Sequence, residues 1–152
     1  MNTQQLEYAG FWARTGAALI DGILLLLITT PILLSIYGWD YLEAEDMVMG
    51  PADFLISWVL PAFATVLFWL YKRATPGKMA VAAQVVDAKT GNTMSVGQSM
   101  LRYLGYFIAA LPFGLGLIWV AFDSRKQGWH DKIAGTVVVK RTSAAPEPVR
   151  FN

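Results

Sequence analysis

Three long apolar runs divide the chain, and the polar segments between them change sign of charge from one to the next. The first run, Ala17 to Ile36, has Asp21 as its only ionisable group. At about 20 residues it can cross a bilayer core of roughly 30 Å as a helix. The second, Phe54 to Tyr71, has Pro61 near its middle and stops abruptly at Lys72 and Arg73. The third, Tyr103 to Phe122, is long enough for one crossing but carries Pro112, Gly114 and Gly116 at its centre. The pattern predicts an all-α membrane protein: helices over about 14–36 and 54–71, and a third, broken segment over about 100–122.

The segments between the runs set orientation. Residues 37–53 carry five acids (Asp40, Glu43, Glu45, Asp46, Asp53), no base, and the aromatics Tyr37, Trp39 and Tyr41. That composition suits the outer membrane–water boundary, with a short surface helix over 41–48. Lys72, Arg73, Lys78, Lys89 and Arg102 then follow against Asp87 alone, a cytoplasmic signature. Tyr8, Phe11 and Trp12 before Arg14 read as an interfacial anchor on the same side. With the bases on both flanks of the third run, Arg102 before it and Arg125, Lys126 and Lys132 after it, two readings stay open. The run crosses once, against the positive-inside trend, or it re-enters as two half-helices breaking at LPFGLG, which keeps both flanks inside.

Two β-like stretches bear on that choice. Met79 to Val86 lies between the turn signals TPGK and KTGN, and Gly135 to Lys140 reads GTVVVK. Pairing them in a small cytoplasmic two-stranded element requires a shared side, which favours re-entry. Two strands alone are weak structure in water, so the element needs helices or another subunit behind it. Residues 142–152 read as a disordered end, leaving 1–141 as one membrane domain.

Composition agrees with a membrane protein: 55% hydrophobic and 15% charged residues in a chain of 152, against about 25% charged in soluble domains. The N-terminus reads as a retained span, since residues 1–13 hold no base and the first run is too long for a signal peptide. A net charge of +1 gives no argument for nucleic acid. With no cysteine and one histidine, neither a nucleophile setting nor a metal site is supported, so no enzyme and no cofactor are expected.

Asp21 is the leading candidate for function. A carboxylate inside a membrane helix is costly and faces protein or water, either as a proton- or cation-binding group or as a packing anchor. Arg14 lies two turns away on the same face, about 10 Å along the axis, so the pair needs water or another helix between them. Gly16, Ala17, Ala18 and Gly22 form a small-residue strip that admits a close neighbour. Arg102 either snorkels to lipid phosphates or pairs with a buried acid. His130, the one side chain that ordinarily titrates near neutrality, is an interfacial hydrogen-bonder or a proton relay. Lys72, Arg73, Lys78, Arg125 and Lys126 are placed at lipid headgroups or the membrane interface.

Taken together, GFWARTGAALID, YKRATPGKMAVAAQVVDAKTG, SMLRYLG and AFDSRKQGWHDKIAGTVVVKR resemble the RDD family of small bacterial membrane proteins, over roughly residues 8–141. That family takes its name from one arginine and two aspartates. Arg14 and Asp21 match the arginine and the first aspartate; the second is placed on Asp131, with Asp87 and Asp123 as alternatives. The resemblance implies a multipass protein of the bacterial inner membrane. It also implies transport of a small solute or ion, with cation or proton coupling in some members. The rival reading is a non-catalytic scaffold presenting a basic cytoplasmic face. Two or three helices hardly enclose a pathway, so transport implies a homo-oligomer or a larger membrane complex, with membrane lipids as the other partners.

Overall fold

A computed structural model describes residues 6–141 together with Val149 and Phe151. Its strands are β1 (Leu6–Tyr8), β2 (Ala83–Asp87) and β3 (Thr136–Arg141). The first span is one helix, α1 (Phe11–Tyr37), which runs through Pro31 without a break. The second combines α2 (Pro51–Phe54), a π turn over Leu55–Val59 and α3 (Leu60–Lys72). Pro61 explains the wide turn. It has no N–H for the carbonyl of Ser57, four residues back, and its ring would press on that group in a regular helix. Only 11% of the apolar window of the first span and 6% of that of the second are buried within the chain. Their leucine-rich surfaces therefore face lipid or other subunits.

The third run is broken. Helix α5 (Val96–Ala110) is followed by α6 (Leu115–Ile118) and a 3-10 turn over Trp119–Ala121, and the two parts meet at 112°. Phe113 and Gly114 make the corner with positive φ, 54° and 73°. Helix α5 starts four residues ahead of the expected boundary because Ser95 and Gln98 form a capping box.

The sheet decides between crossing and re-entry. Strands β2 and β3, which flank the broken segment, pair antiparallel with Val85 opposite Val138. Backbone partners cannot lie on opposite sides of a bilayer, so the third segment enters and leaves on one side. The sheet has three strands rather than the expected two, in the order β1-β3-β2, because the N-terminal residues pair with the outer edge of β3. The continuous valine run of β3 is explained by burial on both faces. Val138, with Ala83 and Val85, packs on Trp69 and Met94, while Val137 and Val139 pack with Leu6, Val86 and Val149. Val149 and Phe151 belong to the stretch expected to be disordered; the remaining residues from 142 onward lie outside the described residues.

Two local expectations are corrected. Met79 to Val86 is not one strand: residues 76–80 form helix α4 (Pro76–Ala80), and the strand is confined to β2. TPGK is a helix start with proline at the first position, where its missing N–H costs nothing. The surface helix expected over 41–48 is a 3-10 turn, Trp39–Glu43. In this loop the buried Asp53 accepts from Tyr41, Ser57 and the Met49 N–H. The remaining short helix, α7 (Trp129–Ala134), lies against α5. Gly105 of α5 allows that approach, since a Cβ there would sit 2.9 Å from the His130 Cα.

The positive-inside bias puts sheet, α4 and α7 in the cytoplasm. The cysteine-free sequence permits a direct check with single cysteines and a membrane-impermeant maleimide. Glu45→Cys should label in intact cells, and Ala88→Cys only after permeabilisation. Labelling of Ala88→Cys in intact cells would reverse the orientation.

Candidate functional site

Asp21 projects from α1 to the start of α4. Its Oδ1 accepts the Gly77 N–H at 2.7 Å and its Oδ2 the Thr75 hydroxyl at 2.6 Å. The carboxylate thereby takes the place of a cap at this helix start, where Thr75 makes no side-chain cap of its own. Free N–H groups at a helix start favour an anion. This is how a membrane-helix acid finds neutral partners. Arg14 is not among them.

Arg14 belongs instead to a second cluster, in which Asp131 and Arg102 are fully buried and Arg14 partly so. Its Nη1 donates to Asp131 Oδ2 at 2.7 Å, its Nη2 to the Lys126 carbonyl and its Nε to the Ala9 carbonyl. Arg102, with no exposed surface, donates from Nη1 to Asp131 Oδ1 and to Thr136 Oγ1, and from Nη2 to the Tyr106 hydroxyl. Its guanidinium carbon lies 5.3 Å from the Trp69 ring centroid and 5.6 Å from that of Tyr106. Asp131 also accepts the Gly128 N–H at the start of α7. One carboxylate thus joins α1, α5 and α7. Burial alone would raise its pKa, but the guanidiniums of Arg102 and Arg14 hold it far below the usual carboxylate range.

The two alternative aspartates do other work. Asp87 accepts from Lys89, Thr90 and Gln98, and Asp123 from Arg125, Gln127 and Lys132, so each closes a loop. Arg102, expected near lipid phosphates or a buried acid, has the acid.

His130 stacks on Tyr106 with ring centroids 4.1 Å apart, and its Nε2 is 3.4 Å from Asp131 Oδ2. Burial is the chief reason its pKa falls from 6.5 to about 3, with Asp131 opposing and the Arg102, Arg14 and Lys78 charges adding. The folded ring is therefore neutral at pH 7, while the unfolded chain takes up a proton below about pH 6.5. This contribution to stability is complete above about 6.5 and is lost as pH falls toward 3, by about 1.4 kcal/mol per unit. His130→Phe, which keeps a ring against Tyr106, is expected to flatten the decline in unfolding free energy between pH 6.5 and 5. Parallel declines in both proteins would refute it.

The basic residues expected at headgroups or the interface have different surroundings. Arg73 bonds Thr93, Arg125 bonds the Ala88 carbonyl and Tyr8, and Lys126 reaches the Tyr8 carbonyl. Lys72, the last residue of α3, is exposed. Lys78 is nine-tenths buried, and among the described residues it has no hydrogen-bond or ion-pair partner. It lines two cavities. One, of about 440 Å³, lies between the start of α1 and α6, with Arg14, Leu19, Ile118 and His130 in its wall. The other, of about 400 Å³, lies between α1 and α3, with Asp21, Pro61 and Trp69. Ala18, Lys78 and Tyr106 belong to both. Sequence reasoning missed Thr75, Gly77, Tyr106 and Thr136. Pro76 after Thr75 signalled a helix start for the first two; a hydroxyl at a buried position gives no pattern for the others.

The RDD family model matches residues 8–135. The uncharacterized protein YxaI of Bacillus subtilis is 32% identical over 148 residues, covering 86% of this chain and 96% of that protein. The uncharacterized protein YckC of the same organism is 34% identical, covering 91% and 89%. The uncharacterized protein RP437 of Rickettsia prowazekii is 41% identical over 75 residues, which is 49% of this chain and 41% of that protein. No solved structure matches the chain.

Proposed function

Given that this chain belongs to the RDD family and is a multipass protein of the bacterial inner membrane, we propose that it takes part in transporting a small solute or ion. The observation that carries this reading is Lys78: buried, without a partner among the described residues, and shared by two cavities. Lacking a partner among the described residues, the Lys78 ammonium is available to an anionic ligand that enters either cavity. Asp21 supplies the coupling. It holds the start of α4, the helix that carries Lys78, through two hydrogen bonds to a carboxylate. A proton or cation arriving at Asp21 weakens those bonds and frees α4 to shift. Two spans and one re-entrant segment do not enclose a pathway, so the working unit is a homo-oligomer or a complex with other membrane proteins.

The test is flux from proteoliposomes. Wild-type protein is expected to give pH- or sodium-dependent flux that Asp21→Asn abolishes while the protein still folds. Absence of such flux, or indifference to the substitution, refutes the coupled reading. The Arg14–Asp131–Arg102 cluster favours the scaffold reading, because it spends its charge on joining elements at the cytoplasmic face. Under that reading Asp21→Asn lowers detergent stability or breaks a complex and leaves no flux to lose.

A further inference from the structure

We propose that the cavity between α1 and α6 receives the phosphate headgroup of an anionic lipid from the cytoplasmic leaflet, with Lys78 as its principal cationic ligand and Arg14 beside it. Two cations, Arg14 and Lys78, line the cavity, and a third, Arg102, lies behind its wall, where it shares Asp131 with Arg14. His130 is neutral, and Asp21 across α4 uses both oxygens on Thr75 and Gly77. Counting Asp21, three positive charges face two negative ones, so an anion completes the site. Arg102 is sealed behind Tyr106 and Trp69, which leaves Lys78 and Arg14 to meet it.

The walls select the kind of anion. Phe11, Leu19, Leu117 and Ile118 give the cavity an apolar lining that a fully hydrated ion does not use. A molecule with a charged head and a hydrocarbon tail uses both parts. The volume of about 440 Å³ falls among the roughly 300–1,000 Å³ of small-molecule sites. A phosphate also offers several acceptor oxygens, matching the three donors of a lysine ammonium and the Arg14 N–H groups not engaged by Asp131, Lys126 and Ala9. The Tyr106 hydroxyl, which accepts from Arg102, has its own proton to give.

This inference rests on the cavity being the binding site, as proposed above, and not on the protein moving what it binds. The full chain, delipidated in a neutral detergent, is titrated with short-chain phosphatidic acid, phosphatidylglycerol and phosphatidylcholine of equal chain length, and with inorganic phosphate. Binding is read by native mass spectrometry and by the thermal midpoint. The two anionic lipids are expected to bind at least tenfold more tightly than phosphatidylcholine, with inorganic phosphate weaker still. Lys78→Gln should lose at least tenfold in that affinity, Lys78→Arg should keep the preference, and the surface change Lys89→Gln should leave it untouched. Equal binding of phosphatidylcholine, or an unchanged Lys78→Gln, overturns the proposal, and so does inorganic phosphate matching the lipids. Should Lys78→Gln not fold, the lipid series on wild type and Lys78→Arg decides. Intact lipid selectivity without flux refutes transport and leaves this site standing; flux without selectivity does the reverse.

Discussion

Asp131→Asn is expected to abolish a stable fold. The substitution removes the one negative charge between Arg14 and Arg102, both of which donate to it, while neither guanidinium can lose its proton. Arg102 has no route to water, because it is fully buried against Trp69, Tyr106 and Thr136. Breaking a buried pair from one side costs about 3–5 kcal/mol. That is a large part of the roughly 5–15 kcal/mol that holds an ordinary domain. The loss is not local, since α1, α5 and α7 meet at this carboxylate. The measurement is monodispersity after detergent extraction, followed by unfolding of whatever remains folded. The double change Asp131→Asn with Arg102→Met should recover much of the loss, because it takes away a cation together with its anion. A single mutant within about 1 kcal/mol of wild type would mean that the cluster is not what joins these helices.

The same residues show how far the sequence could be read. The spans, the break at LPFGLG and the anchoring role of basic flanks follow from length, proline and glycine placement, and charge sign. Each of these acts along the chain. Re-entry follows once two stretches are allowed to pair, and β2 and β3 do pair. The third strand was not legible, because Leu6–Tyr8 is too short to show a period. Partners across the sequence were harder. Arg14 and Asp21 share a helix face, yet one goes to Asp131 and the other to Thr75 and Gly77, because α4 and α7 come between them. Thr75 and Pro76 mark a helix start, but the following glycine makes TPGK equally a turn signal, and the turn reading conceals the partner of Asp21. Lys78 could not be told from its exposed neighbours by sequence, since burial of a lysine leaves no mark on the residues beside it.

Gly77→Ala is expected to separate α4 from α1. A Cβ at position 77 would overlap the Ala17 carbonyl oxygen and lie 2.8 Å from its carbon and 2.9 Å from the Asp21 Cγ. The carbonyl belongs to a helix backbone and cannot rotate away, so α4 must move. Overpacking of this kind costs about 1–3 kcal/mol. Moving α4 also strips Asp21 of the Gly77 N–H and the Thr75 hydroxyl, and an ionised carboxylate left without donors inside a membrane helix adds a further penalty of a few kcal/mol. The two costs have one origin and should appear together, as a loss of about 3 kcal/mol or more in the unfolding free energy. Asp21→Asn separates them: it keeps an acceptor for the Gly77 N–H and introduces no atom into the α1–α4 contact, so its effect should be clearly smaller. The Asp21→Asn, Gly77→Ala double mutant then tells which cost dominates. If the stranded carboxylate does, the double mutant is more stable than Gly77→Ala alone; if backbone overlap does, it is no better. A Gly77→Ala protein that unfolds at the wild-type midpoint would place α4 away from α1 in the membrane, and with it Lys78 away from both cavities.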